Sequence, residues 1–417
     1  MTLSRRFRTI RSLSTLGVVF TLAACGGPSP TAPTAIRQLP RALTADEQQL
    51  ITQSNGFAFS LLQQVSSLAP DSNLFMSPLS ASMALGMTMN GAEGSTLDAM
   101  RSTLGFSSMS LAQADASYES LIALLRGLDP NVTFQIANSI WYRQGFAVEP
   151  DFLQTDKQYF DATVQGLDFS APSAVSTMNA WVSSNTKGKI TNIVASPIDP
   201  ATVMFLIDAI YFKGAWQYQF APDKTRSQPF HLDDGSSAPV PMMDLTGVSV
   251  LEGGTAAYQA VELPYGGGAF AMDVILPNEG TTLDAVVAQL GDGAWPALLA
   301  QLSTATGEVQ IPRFTLAWGA SLNGPLSALG MGIAFGPNAD FSGIAKAGGL
   351  HITDVRQKAF VDVDEQGTTA AAATSVAIGV NSVSPLAFRA DHPFLFVIRE
   401  RFSGTILFMG EFQRPPA

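Results

Sequence analysis

Residues 365–374 read E-Q-G-T-T-A-A-A-A-T and run on into the alternation Val376-Ala377-Ile378-Gly379-Val380-Asn381. A run of alanines on its own favours helix. The tail argues otherwise: Val376, Ile378 and Val380 recur every second residue, the period of a half-buried strand. Carried backwards, that period sets Thr368, Ala370, Ala372 and Thr374 on the same face, and each of them is small. From residue 367 to residue 387 there is no Asp, Glu, Lys or Arg. Such a segment fits between two existing strands without burying a charge or colliding with its neighbours. The same composition also suits an Ala/Thr-rich linker, and this window alone leaves both readings open.

The chain then continues F-R-A-D-H-P-F-L-F-V-I-R-E over residues 388–400 and G-T-I-L-F-M-G-E-F over residues 404–412. These are two apolar runs of strand length separated by a polar turn. The combination resembles the C-terminal end of the serpins, where a small-residue hinge, an exposed reactive loop and two closing core strands follow in this order. The resemblance extends upstream across most of the chain. It is carried by Asn73-Leu74-Phe75-Met76-Ser77-Pro78-Leu79-Ser80, Ala137-Asn138-Ser139-Ile140-Trp141, Asn179-Ala180-Trp181-Val182 and Thr186-Lys187-Gly188-Lys189-Ile190. Ala209-Ile210-Tyr211-Phe212-Lys213-Gly214-Ala215-Trp216, Pro229-Phe230-His231-Leu232-Asp233-Asp234-Gly235 and Glu262-Leu263-Pro264-Tyr265 complete it.

Patterning agrees with the fold class that this resemblance implies. Leu50, Phe57, Leu61, Leu62 and Val65 fall on one helical face, with Asp46 placed to cap the helix. Strand-like runs at 203–212, 257–264, 270–276 and 309–314 fill the second half. Helices early and strands late predict an α+β chain with large sheets rather than a doubly wound one. The serpin resemblance makes this specific: helices plus three β-sheets and an exposed reactive-centre loop.

With 417 residues, 46% of them hydrophobic and only 14% charged, the chain is able to bury a large core without disulfides. It has a single cysteine, Cys25, so an intrachain disulfide is impossible. The net charge of −11 argues against nucleic acid as a partner. At the N-terminus, Arg5, Arg6, Arg8 and Arg11 precede an apolar stretch too short to span a bilayer, the pattern of an export signal. That stretch ends Leu22-Ala23-Ala24-Cys25, which resembles a bacterial lipobox. The alternative is an ordinary signal peptide with a chance cysteine. The lipobox implies a signal peptide over residues 1–24 and a lipid on Cys25, giving a membrane-anchored or extracellular bacterial protein. Pro28, Pro30, Pro33 and Pro40 mark residues 25–45 as an extended tether, leaving residues 46–417 as the serpin domain.

Catalysis finds no support. His231, His351 and His392 are the only histidines, no two at metal-ligand spacing, and there is no G-x-S-x-G elbow or P-loop. No enzyme activity, metal or cofactor is expected. What the resemblance implies is a monomeric protease inhibitor that acts as a suicide substrate by reactive-loop insertion. The rival is a serpin-fold surface lipoprotein used only for binding.

In the reading by resemblance, Glu365, Gly367, Thr368, Thr369, Ala370, Ala371, Ala372, Ala373 and Thr374 form the hinge. Counting as in the family places the scissile bond at Asn381–Ser382, with Val380 as the alternative. A loop without Lys or Arg disfavours trypsin-like enzymes. It favours elastase-like or subtilisin-like serine proteases, with an asparagine-preferring or other cysteine protease as a further target class. Ser77, Ser80, Asp208, Gln357 and Trp216 map to the shutter and breach regions that govern opening of the central sheet. Asp208 and Gln357 stand where serpins usually carry asparagine and histidine. A bond from the Gln357 amide to the Asp208 carboxylate is expected to replace the usual pair, with Asp208 protonated or given another donor.

Overall fold

The computed structural model describes residues 1–2, 35–368 and 386–416. The chain divides into two units, residues 1–31 and 32–417, and every element lies in the second.

In chain order the elements begin with α1 (Ala45–Ser66), β1 (Leu74–Met76), α2 (Pro78–Met89), α3 (Gly94–Thr103) and α4 (Leu111–Leu125). Next come β2 (Val132–Arg143), α5 (Pro150–Phe160), β3 (Thr163–Leu167), α6 (Pro172–Asn185) and β4 (Met204–Ala215). The second half holds β5 (Arg226–His231), β6 (Ser237–Gly254), β7 (Tyr258–Tyr265), β8 (Phe270–Pro277), α7 (Leu283–Gln289) and α8 (Trp295–Gln301). It closes with β9 (Ser303–Pro312), β10 (Phe314–Ser321), β11 (Arg356–Asp364), β12 (Gly367–Thr368), β13 (Leu386–Arg389), β14 (Phe394–Glu400) and β15 (Ile406–Phe412).

Local chemistry explains the termini. α1 is capped by Thr44, not by Asp46 as the sequence suggested. The Thr44 hydroxyl accepts from Glu47 N–H at 3.1 Å and the Glu47 carboxylate accepts from Thr44 N–H at 2.7 Å. This reciprocal box satisfies two otherwise orphaned donors, which Asp46 one residue into the helix cannot do. Arg41 pairs with Glu47 at 2.6 Å and holds its carboxyl down at about 2. Contacts with the body begin still earlier, where Ile36 N–H donates to Gly267 O at 2.8 Å. α2 starts at Ser77, whose hydroxyl accepts from Ser80 N–H, with Pro78 in the first turn. Apolar nearly all round, it is buried nearly all round, a helix with protein on every side.

Two sheets carry the fold. One has six strands in the order β10-β11-β12-β4-β2-β3. The other runs β1-β15-β14-β8-β7-β6-β9-β13, with β5 added to β6. Three sheets are expected from the sequence; here the strand set β5 with β6, β9 and β13 is continuous with the second sheet because the 18-residue β6 runs through both. The run expected at 309–314 is two strands, broken at Arg313 between β9 and β10. β8, β14 and β15 are buried at every position, which is why their sequences run mainly apolar rather than alternating, the charged exceptions being Asp273, Arg399, Glu400 and Glu411. Between the sheets lies the aromatic core, with Phe75 stacked on Phe408 at 5.2 Å and Phe212 edge-on to Tyr265 at 5.1 Å. A smaller cluster, including Trp141, Met178 and Val182, seats α6 over the other face of β2 and β4.

Candidate functional site

The six-stranded sheet has an unusual join. β4 and β11 form no direct ladder among the described residues; the two-residue β12 bridges them at one end. Val363 and Asp364 of β11 pair with Thr368 and Gly367, which pair in turn with Gly214 and Ala215 of β4. Neighbouring strands lie about 4.8 Å apart, so β4 and β11 stand about 9.6 Å apart here, the width of one intervening strand.

The turn into β12 is built by Asp364. Its Oδ1 accepts from Gln366 N–H at 2.8 Å and from Gly367 N–H at 3.0 Å. Gly367 then takes φ +152°, and a Cβ placed on it would lie 2.2 Å from Gly214 O. Only glycine fits. Trp216 fastens the same turn twice, through its backbone N–H to Gln366 O and its indole Nε1–H to Asp364 O, both at 2.8 Å. Its ring stacks on Tyr265 at 4.5 Å and 12°. Tyr265 Oη and Thr368 Oγ1 share a hydrogen bond of 2.6 Å, and burial raises the Tyr265 phenol well above its ordinary pKa.

Glu365 is also held. Its carbonyl accepts from Phe220 N–H at 3.0 Å, while Oε1 accepts from Thr225 Oγ1 at 2.7 Å and faces Arg313 Nη1 at 3.4 Å. The start of the sequence-expected hinge, Glu365 to Thr368, is therefore brought together with Trp216. Thr369, Ala370, Ala371, Ala372, Ala373, Thr374, Val380, Asn381 and Ser382 lie outside the described residues, as does Cys25.

Away from β12, a cavity of about 540 Å³ lies along the join, lined by β4, α2, residues 349–358 and the segment after α6. Leu85, Val194, Leu206, Leu322 and Ile352 make its wall mainly apolar, with Ser80, Asp208 and Gln357 among the polar exceptions. The expected bond between Gln357 and Asp208 is not formed. Gln357 instead embraces one residue of the chain, accepting from Ser77 N–H at 3.1 Å and donating to Ser77 O at 2.7 Å. An amide matches that pairing because it carries a donor and an acceptor side by side. Asp208 Oδ1 accepts from Ser80 Oγ, and Ser77 Oγ donates to Leu407 O at 2.7 Å.

Asp208 borders the cavity, so part of its surface counts as open, yet the carboxyl lies deep beneath the sheet. That desolvation pushes its pKa up to about 8, against the lowering effect of the Ser80 bond. Sequence reasoning missed Thr225, Arg313 and Tyr265 as members of this assembly, and also Asn138, which lies opposite Asp208 in the β2–β4 ladder. Tyr265 and Asn138 stood inside recognisable motifs, whereas nothing in the sequence marked Thr225 or Arg313.

Residues 52–415 match the family model described as Serpin (serine protease inhibitor). Human neuroserpin is 35% identical over 359 residues, covering 83% of this chain and 87% of that protein. The leukocyte elastase inhibitor of Sus scrofa is 33% identical over 387 residues, covering 88% of this chain and all of that protein. Among solved structures, that titled cleaved Serpin 42Da superposes with a TM-score of 0.80 at 27% identity, covering 89% of this chain and 100% of its own.

Proposed function

This chain belongs to the serpin family, and we propose that it inhibits serine proteases as a suicide substrate, by inserting its reactive loop into the six-stranded sheet. The observation that carries this reading is β12, already seated between β4 and β11 in full register. Extending β12 by residues 369–380 needs no new path through the molecule, only continuation along the join. The target's serine hydroxyl would attack the carbonyl carbon of Asn381 or Val380, forming an acyl ester and releasing the following residue's amine. Cleavage frees the loop to enter the sheet with the protease still attached. Burying Val376, Ile378 and Val380 would contribute roughly 1.5–3 kcal/mol each, beyond a new ladder of backbone bonds. The sum is comparable with a whole domain's stability of about 5–15 kcal/mol.

The loop lacks the basic residue that trypsin-like enzymes require, and a relative carries the name leukocyte elastase inhibitor. Both support elastase-like or subtilisin-like targets. Mixing the protein with elastase, subtilisin and trypsin tests this. A denaturant-resistant adduct with the first two and none with trypsin is expected, and mass spectrometry of the released C-terminal peptide fixes the bond. Plain cleavage without an adduct across a broad panel would leave a binding protein instead.

Export and anchoring through a lipid on Cys25 complete the proposal, supported by the lipobox-like Leu22-Ala23-Ala24-Cys25. Radiolabelled palmitate fed to expressing bacteria should label the protein and fail to label Cys25→Ser. Equal labelling of both removes the anchor.

A further inference from the structure

Beneath the six-stranded sheet, the buried atoms Asp208 Oδ2 and Asn138 Oδ1 have no hydrogen-bond partner among the described residues. Asn138 and Asp208 are directly opposed in the β2–β4 ladder. Opposed residues point to the same face with Cβ atoms about 4.5–5.5 Å apart, so these side chains are neighbours. The rest of each group is already committed. Asn138 Nδ2–H donates to Phe160 O at 2.8 Å, which fixes the amide's orientation and leaves Oδ1 as the free atom. Asp208 Oδ1 takes the Ser80 hydroxyl, which leaves Oδ2. Two unpaired acceptors on neighbouring side chains in a buried site cost free energy unless something donates to them.

No cation relieves Asp208, which makes no ion pair among the described residues. α2 carries no charged side chain. On β2 the charged residue is Arg143, at the strand's far end and bonded to Thr202 O. α4 and α5 supply Tyr118, Asp115 and Asp156, none of them cationic, and burial disfavours ionisation of all three. Across the cavity, Arg356 is engaged by Asp354 and Lys358 by Asn192, while His351 is exposed and Asp199 is acidic.

We infer that Asp208 is held as the neutral acid in the folded protein, its Oδ2–H donating to Asn138 Oδ1, so that the β2–β4 pairing beside the join depends on pH. One proton then satisfies both orphaned oxygens at once. Loss of that proton leaves a buried carboxylate opposite a carbonyl oxygen on the strand that walls the cavity.

The sign of the effect follows from linkage. The folded-state pKa of about 8 lies above the ordinary carboxylate value. The contribution is therefore fully present below the unfolded pKa and declines as pH rises towards about 8, levelling off beyond it. Asp208→Asn keeps a donor on this atom at every pH, with its Nδ2–H directed at Asn138 Oδ1 and its Oδ1 still accepting from Ser80. Other buried acids remain in both proteins and cancel in the comparison.

Melting temperatures of the parent and Asp208→Asn should coincide near pH 4. A gap of several degrees in favour of the variant should open by pH 8 and stay constant above it. Infrared difference spectra between pH 6 and pH 10 should show the parent losing a protonated-carboxyl band that the variant lacks. A constant gap across pH, or no such band, overturns the inference; a bound water donating to both oxygens would give that result. Neither readout uses a protease, so failure of the proposed inhibition leaves this test intact.

Discussion

Thr368→Arg should leave the protein a good substrate and a poor inhibitor. Thr368 is 2% exposed, lies between Gly214 and Val363, and shares its hydroxyl with Tyr265. It is also the last described residue before the loop, so in the proposed insertion every later residue would follow it into the sheet. A guanidinium at this position has no carboxylate among its ladder partners, and it removes the small β-branched side chain that a strand accepts. An unpaired buried charge costs about 3 kcal/mol at the low end, and each 1.4 kcal/mol is a factor of ten in partition. Adduct formation with an elastase-like enzyme should fall roughly a hundredfold relative to turnover, as read by gel stoichiometry. The rate of first cleavage should barely change, because the proposed scissile bond lies well beyond the substitution. Retention of full adduct yield would show that Thr368 does not lead the insertion.

Trp216→Ala carries the second large effect, on stability and on the hinge together. The ring is 1% exposed, stacks on Tyr265 and packs edge-on to Phe220 at 6.2 Å. Truncating a buried tryptophan costs about 3–5 kcal/mol, a large part of a domain's usual stability. The loss should appear as a lower urea midpoint with little change in slope. Asp364 O would also lose the indole donor that pins the turn into β12. Trp216→Phe helps to separate the two roles: it keeps a ring against Tyr265 while removing the N–H and part of the indole, and losing that donor alone costs about 1–3 kcal/mol. Limited proteolysis near residue 366 should therefore accelerate in both variants, more in the alanine one. If Trp216→Ala shifts stability by less than about 1 kcal/mol, the turn is held by Asp364 and Gly367 without it.

The class of fold was legible because long apolar runs and short motifs survive without knowledge of contacts. β8, β14 and β15 declared themselves by long, mainly apolar runs. Partners were harder to read. Glu365 meets Thr225 and Arg313 only because β11 returns beside them, and no spacing rule predicts a contact across 140 residues. Asp208 and Gln357 were assigned to each other by analogy with the usual pair. The structure separates them, since an amide is better matched by a whole peptide group than by a carboxylate. Thr44 took the cap from Asp46 because the reciprocal partner three residues on is Glu47.

The hydrogen bond from Ile36 to Gly267 sets a scale for the proposed anchor. Gly267 lies in the turn that follows Tyr265, so the N-terminal segment meets the body at the same end as the hinge. Ten residues lie between Cys25 and Ile36, so eleven Cα-to-Cα steps make a leash of at most about 40 Å. The 12-residue β4 against which the loop would be drawn is also about 40 Å long. In the proposed reading, a lipid on Cys25 would keep the hinge within one leash length of the attachment point. A protease captured by the proposed insertion would then be drawn along β4 over a distance about equal to the leash.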